Sequence, residues 1–200
     1  MVNGPEPEQE IVFVQRAVKG DSSAFGVLYD HYHPMIYRFV MIKVGRREEA
    51  EDITHQVFLS AWQKVKSYKH QGHPFSSWLY QIARNQVIDH YRARKPDVSL
   101  EKTDPESFAI AVDHAADISK KMQLEKVRTA IALLKSDYQD VIILRFVEDM
   151  TLKETAASLR KSEGAVKVIQ HRAIRELKKV LGGEPSISLN SFSISSDESF

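Results

Sequence analysis

Residues 151–177 read TLKETAASLRKSEGAVKVIQHRAIREL, a stretch that leaves few folds open to the chain around it. The periodicity predicts two helices, 152–159 and 163–181, joined by the three-residue turn Arg160-Lys161-Ser162. Thr151 followed by Glu154 has the spacing of a capping box, and Ser162 is a natural N-cap for the second helix. Two helices across so short a turn, the second with a basic outer face, have the layout of a helix-turn-helix. That motif lays its second helix in the DNA major groove.

On a helical wheel, Val166, Ile169, Ala173, Leu177 and Val180 share one face of the second helix and are expected to pack inward. Gly164, Lys167, Val168, His171, Arg172, Arg175 and Lys178 occupy the other. Ser162 leaves the first backbone N–H groups and the positive dipole end free for a phosphate. Gly164 removes a side chain where DNA could approach the backbone. Arg and Lys near the helix start can reach guanine edges, while His and Arg further along suit phosphates. The plainer alternative is a solvated amphipathic helix.

Nearly all the remaining sequence has helical periodicity, with no convincing strand. Helices are expected at 9–19, 23–44, 47–67, 75–94, 124–135 and 136–148, besides the two above. Asp21-Ser22-Ser23 after Gly20 offers N-caps, and Ser136 with Gln139 fits a second capping box. Residues 96–118 mix Asp, Glu, Ser and Pro and read as a linker. Gly182-Gly183 closes the last helix, and the Ser-rich end SISLNSFSISSDESF reads as disordered. The expected fold class is therefore all-α. Two small helical domains are joined by a flexible linker, the second a helix-turn-helix (winged-helix-like) DNA-binding domain.

Charge is distributed rather than summed. The net charge is only +1, which by itself argues against a nucleic-acid binder. Yet residues 151–181 hold eight Lys or Arg against three Glu, and residues 71–95 hold four against one Asp. Residues 96–125 between them hold seven acidic side chains against three lysines. Two basic blocks thus flank an acidic one. The chain has no cysteine, so disulfides and thiolate metal sites are excluded. No apolar run approaches the roughly 18 residues of a membrane span. The start, MVNGPEPEQE, does not read as a secretory signal peptide. A cytoplasmic protein without membrane insertion is the expectation.

In the first domain, Ala50, Ile53, Val57 and Ala61 form a buried stripe on helix 47–67, with Phe58 at its margin. Opposite lie Asp52, Gln56, Leu59 and Gln63, spaced four, three and four. A leucine inside a polar stripe can anchor a partner protein, although single exposed leucines are ordinary. Helix 75–94 carries Leu79, Ile82 and Ala83 on one face and Trp78, Gln81, Asn85, Ile88, Asp89 and Arg92 on another. Asn and Arg can pair with base edges, and aromatic rings can stack on unpaired bases. The preceding loop, residues 67–74, includes Tyr68, Lys69, His70 and His73. It is basic and aromatic-tipped, and such a loop could hold a flipped base. Core packing is an equally good use of Phe75 and Trp78.

These segments, in this order, resemble the bacterial RNA polymerase sigma factors of the extracytoplasmic-function (ECF) group of the sigma-70 family. EEAEDITHQVFLSAW resembles that family's helix for the polymerase core, and FSSWLYQIARNQVIDHYR its helix for the −10 promoter element. VIILRFVEDMTLKETAASLRKSEGAVKVIQHRAIREL resembles its −35-binding domain. The resemblance covers residues 8–93 and 124–181. It implies sigma domain 2 at 8–95, an acidic linker at 96–122, sigma domain 4 at 123–182, and a tail at 183–200.

By position, the resemblance implies that Asp52, Gln56, Leu59 and Gln63 bind core polymerase. Tyr68, Lys69, His73, Trp78, Asn85, Asp89 and Arg92 would serve the −10 element, with the 68–74 loop capturing a flipped base. Ser162, Gly164, Lys167, Val168, His171, Arg172 and Arg175 would serve the −35 element. It also implies a chain that is monomeric when free, is held by an anti-sigma factor, and has no catalytic residues, metal or cofactor. Lys167-Val168-Ile169 departs from the basic or polar run that many members carry there. A valine can meet a thymine methyl, so a DNA sequence different from that read by familiar members is expected.

Two other functions fit less well. An ordinary helix-turn-helix regulator would leave the Asp52/Gln56/Leu59 stripe without a role. An enzyme would need a cluster that His31-x-His33 and His70-x-x-His73 do not supply.

Overall fold

A computed structural model describes residues 7–70, 72–93 and 118–182. The linker and tail expected at 96–122 and 183–200 lie outside these residues, apart from 118–122, which begin a helix. The first domain comprises α1 (Pro7–Val18), α2 (Ser22–Val44), α3 (Arg47–Lys64) with a 3-10 turn over Val65–Ser67, and α4 (Phe75–Ala93). The second comprises α5 (Ile118–Ala132), α6 (Ser136–Ile142) running into a wide π-type turn over Ile143–Val147, α7 (Leu152–Leu159) and α8 (Glu163–Val180). No strand occurs among the described residues.

Caps set several helix ends. The Asp21 carboxylate accepts from the backbone N–H groups of Ser23 (3.0 Å) and Ala24 (3.1 Å) and starts α2. Gly45, at φ +77°, ends it in a left-handed conformation that costs glycine little. The capping box of α7 forms as expected: Thr151 Oγ1 accepts from Glu154 N–H at 3.2 Å, and Glu154 accepts from Thr151 N–H at 2.7 Å.

Five local expectations fail. Gln139 does not box Ser136. It reaches back to the carbonyls of Ala132 (2.9 Å) and Leu134 (3.0 Å), which the end of α5 leaves unpaired, and Lys135 is the N-cap. The helix expected at 136–148 divides, because Glu148 N–H bonds to Ile143 O five residues back and Asp149 turns to φ +50°. The helix expected at 124–135 begins at Ile118 and ends at Ala132. The Lys, Met and Gln residues of 120–123 are good helix formers. Val180, expected inward, is exposed, since α8 runs one turn beyond Leu177, its last buried residue. Phe58, placed at the stripe margin, is fully in the core.

The last six residues of α2, Phe39 to Val44, are all buried. A helix buried on every side must be packed on every side. The first domain covers one side through α3 and α4, and the second domain covers the other. The two domains therefore share an interface, which local periodicity does not announce.

Candidate polymerase and nucleic-acid interfaces

Helix α3 is set by its buried row, Ala50, Ile53, Thr54, Val57, Phe58 and Ala61. That row turns Asp52, Gln56, Leu59 and Gln63 together to solvent, with Leu59 half exposed. Glu48 and Glu49 sit in the first turn, where the helix dipole favours them. The structure thus brings all four candidate core-binding residues onto one open face.

The −10 candidates divide. Asn85, Asp89 and Arg92 are exposed along the second half of α4, with Arg92 3.6 Å from Asp89. Lys69 is exposed and His73 half-buried. Tyr68 is not at a free loop tip. Its ring packs against Phe75 (centroids 5.2 Å) and Trp78 (5.1 Å), and Phe75 is wholly buried. Burial, then the nearby Glu10 carboxylate, pushes the Tyr68 hydroxyl above its usual pKa. The rings form one folded cluster whose outer members, Tyr68 and Trp78, each keep part of their surface open.

On α8, Val166, Ala173 and Leu177 face the core. Ser162 Oγ accepts from Ala165 N–H at 3.2 Å and fixes the helix start. The turn before it uses Arg160 at φ +52°, ψ +45°, with Lys161 N–H bonded to Ala156 O at 2.9 Å. A left-handed arginine costs on the order of 1–2 kcal/mol, so the turn is held by its surroundings. Ser162, Gly164, Lys167, Val168, His171, Arg172 and Arg175 are all exposed. Lys167, His171, Arg172 and Arg175 make no ion pair among the described residues. A Cβ on Gly164 would meet nothing within 4 Å, so nothing in the chain itself requires glycine there.

Residues to which sequence reasoning gave no interdomain role join the two domains. Arg38 on α2 forms a two-pronged pair with Glu148, 2.7 Å at each prong. Lys43 on α2 donates to Asp140 on α6 and to Ser136 (3.1 Å). Arg84 on α4 binds Asp140 (2.7 Å) and Asp137 (2.9 Å). Burial opposes the Arg84 charge, but its two carboxylate partners outweigh this and hold its pKa above the usual value. Gln81 donates to Ala157 O at 2.8 Å and accepts from Arg160 at 2.9 Å. Ser77 Oγ donates to Glu154 O at 3.4 Å. Beside this seam lies a cleft of about 780 Å³ whose lining includes Tyr68, Lys69, Trp78, Lys153, Arg160 and Lys161. A charged residue inside an apolar run, as in FVMIKV and QDVIIL, was the available signal.

Among the described residues, no helix is long and apolar enough to cross a membrane, and no group of three or more His, Asp or Glu is placed to hold a metal.

The Sigma-70 region 2 family matches residues 28–96, and Sigma-70 region 4 matches residues 130–179. The chain is 36% identical over 171 residues to the ECF RNA polymerase sigma factor BldN of Streptomyces coelicolor, covering 84% of this chain and 64% of that protein. It is 32% identical over 177 residues to the ECF RNA polymerase sigma factor SigW of Bacillus subtilis, covering 84% of this chain and 94% of that protein. The fold is similar to that of CnrH, solved with the cytosolic domain of CnrY. The TM-score is 0.66 at 22% identity, over 88% of this chain and 98% of that one. It is also similar to RpoE of Bartonella quintana, solved with the anti-sigma factor NepR. There the TM-score is 0.64 at 23% identity, over 78% of this chain and 96% of that one. With two family regions in order and a relative 32% identical over 94% of its own length, the chain belongs to the ECF group of sigma-70-family RNA polymerase sigma factors.

Proposed function

We propose that this chain is a dissociable promoter-specificity subunit that works in the cytoplasm. It binds core RNA polymerase through Asp52, Gln56, Leu59 and Gln63 of α3. The 68–74 loop and Trp78, Asn85, Asp89 and Arg92 of α4 engage and open the −10 element. Ser162, Gly164, Lys167, Val168, His171, Arg172 and Arg175 engage the −35 element. The observation that carries this reading is the α8 face. A capped helix-turn-helix holds out Lys167, His171, Arg172 and Arg175, exposed and in no ion pair among the described residues. Hydrogen-bonding side chains so placed are available to phosphates and base edges. Two weak grips become useful when the polymerase fixes their spacing, which suits a chain of net charge +1. Control by an anti-sigma factor completes the reading, and the complex of the sigma factor RpoE with the anti-sigma factor NepR supports it by analogy.

Reconstituted transcription tests it. Leu59→Asp should abolish core binding and keep the helical fold. Arg172→Ala with Arg175→Ala should keep core binding and reduce promoter-specific initiation. Wild-type behaviour of both variants would overturn these site assignments.

A further inference from the structure

We propose that the cleft between α4 and α7 is a binding site for a purine nucleoside polyphosphate. The base lies against Tyr68 and Trp78, and the phosphates run toward Arg160, Lys161 and the start of α8. The site goes beyond the sigma-factor reading and does not depend on it.

The cleft has a volume of about 780 Å³, within the roughly 300–1,000 Å³ of small-molecule sites. One wall is aromatic. Tyr68 and Trp78 both line it, with ring centroids 5.1 Å apart and planes inclined at 56°, and both keep open surface. Phe75, wholly buried, packs 5.2 Å from each ring and holds the pair in place. The α7 wall carries Ala156 and Ala157, which project nothing beyond Cβ. A flat base can therefore lie between the rings and the alanines. Stacking on an aromatic ring suits any base and favours the larger purine surface.

Charge decides what the base must carry. Lys69, Lys153, Arg160 and Lys161 line the cleft against a single carboxylate, Glu163, among the described residues. Lys69, Lys153 and Arg160 are in no ion pair among the described residues, and Lys161 reaches Asp137 at 3.3 Å. Next to Arg160 and Lys161 begins α8. Ser162 Oγ takes the N–H of Ala165, while those of Glu163 and Gly164 find no acceptor among the described residues. Free N–H groups at the positive end of a helix favour a phosphate. His73, also on the lining, has a buried Nδ1 without a hydrogen-bond partner, so the first-domain wall too has bonding capacity unmet.

The two features select one ligand class together. A nucleoside alone would leave four cations without counter-charge, and a phosphate chain alone would leave the rings without a stacking partner. A base bearing several phosphates uses both. Tyr68, Trp78 and Ser162 are also assigned above to promoter DNA, so a nucleotide held here withdraws them from it.

Fluorescence titration of the full chain tests the site. The sequence has two tryptophans. Trp62→Phe keeps an aromatic ring against Phe25 and leaves Trp78 as the reporter. In buffer without divalent cations, ATP should quench Trp78 saturably. Adenosine and tripolyphosphate should each bind about tenfold more weakly or worse. Lys153→Glu should weaken ATP binding about tenfold, the loss of one charge-assisted contact. Arg160→Gly should do the same, and glycine suits that turn because position 160 sits at φ +52°. Neither position belongs to the proposed polymerase or DNA surfaces, and circular dichroism would verify the fold of both variants. Arg172→Ala with Arg175→Ala, on the outer face of α8, should leave ATP affinity within about twofold. Absence of saturable quenching, or tripolyphosphate binding as tightly as ATP, would overturn the proposal. So would ATP binding that the α8 variant weakens and neither cleft variant does. Failure of the sigma-factor reading would show separately, as wild-type chain giving no initiation with core polymerase.

Discussion

Arg38 and Glu148, 110 residues apart, face each other as a two-pronged ion pair with both N–O distances at 2.7 Å. Arg38 is well exposed, whereas the Glu148 side chain is almost wholly buried. The pair is therefore asymmetric: losing the arginine strands a buried carboxylate, and losing the glutamate leaves a solvated cation.

Arg38→Ala should consequently destabilise the chain by about 1–3 kcal/mol, discounted for the exposure of Arg38. Arg38→Ala with Glu148→Ala should cost less than the sum of the two single changes. Urea denaturation of the three variants measures the coupling.

Thr151→Ala removes one half of the α7 capping box and should cost about 1 kcal/mol. Because α7 supports the turn into α8, initiation at −35-dependent promoters should fall with it. Thermal denaturation and reconstituted transcription check the two effects.

The Asp21 carboxyl is held well below the usual carboxylate range by the Ser23 hydroxyl, the Ala24 N–H and Arg16, in that order. A folded pKa below the unfolded one means a stabilising contribution present above about pH 4 and lost as pH falls through the folded value. Between pH 5 and 8 the cap should be unaffected. Carboxyl titration by NMR should place the Asp21 midpoint well under 3.9. A normal midpoint would contradict the cap.

A Cβ at Gly164 has open space, so Gly164→Ala should leave stability unchanged or raise it by up to about 1 kcal/mol. If DNA passes close to the start of α8, promoter binding by the holoenzyme should weaken nonetheless. Melting temperature and promoter affinity, measured on one preparation, separate the two effects.

Much of this arrangement could be read from local chemistry. The Asp21 cap and the Thr151–Glu154 box lie where helix-start rules place them, and α7 runs as expected over Leu152–Leu159. The exposure of Leu59 and Val168 followed from periodicity because their helices each bury one face. What stayed hidden depends on distant pairing. Lys43 and Asp140 meet across 97 residues, and no local rule selects that partner. Gln139 deserted its expected box because the carbonyls of Ala132 and Leu134, in the turn between α5 and α6, competed for its amide. Tyr68 turned inward because Phe75 and Trp78 supply it an aromatic wall.

The salt dependence of promoter binding by the holoenzyme tests the central claim most directly, with the Arg172→Ala, Arg175→Ala variant beside wild type. If α8 grips phosphates, the variant should lower the slope of log affinity against log salt by about 2, since each phosphate contact contributes about 0.9. Core polymerase without the chain should show no promoter preference. An unchanged slope with unchanged promoter choice, or tight sequence-specific DNA binding by the chain alone with no affinity for core, would contradict the account.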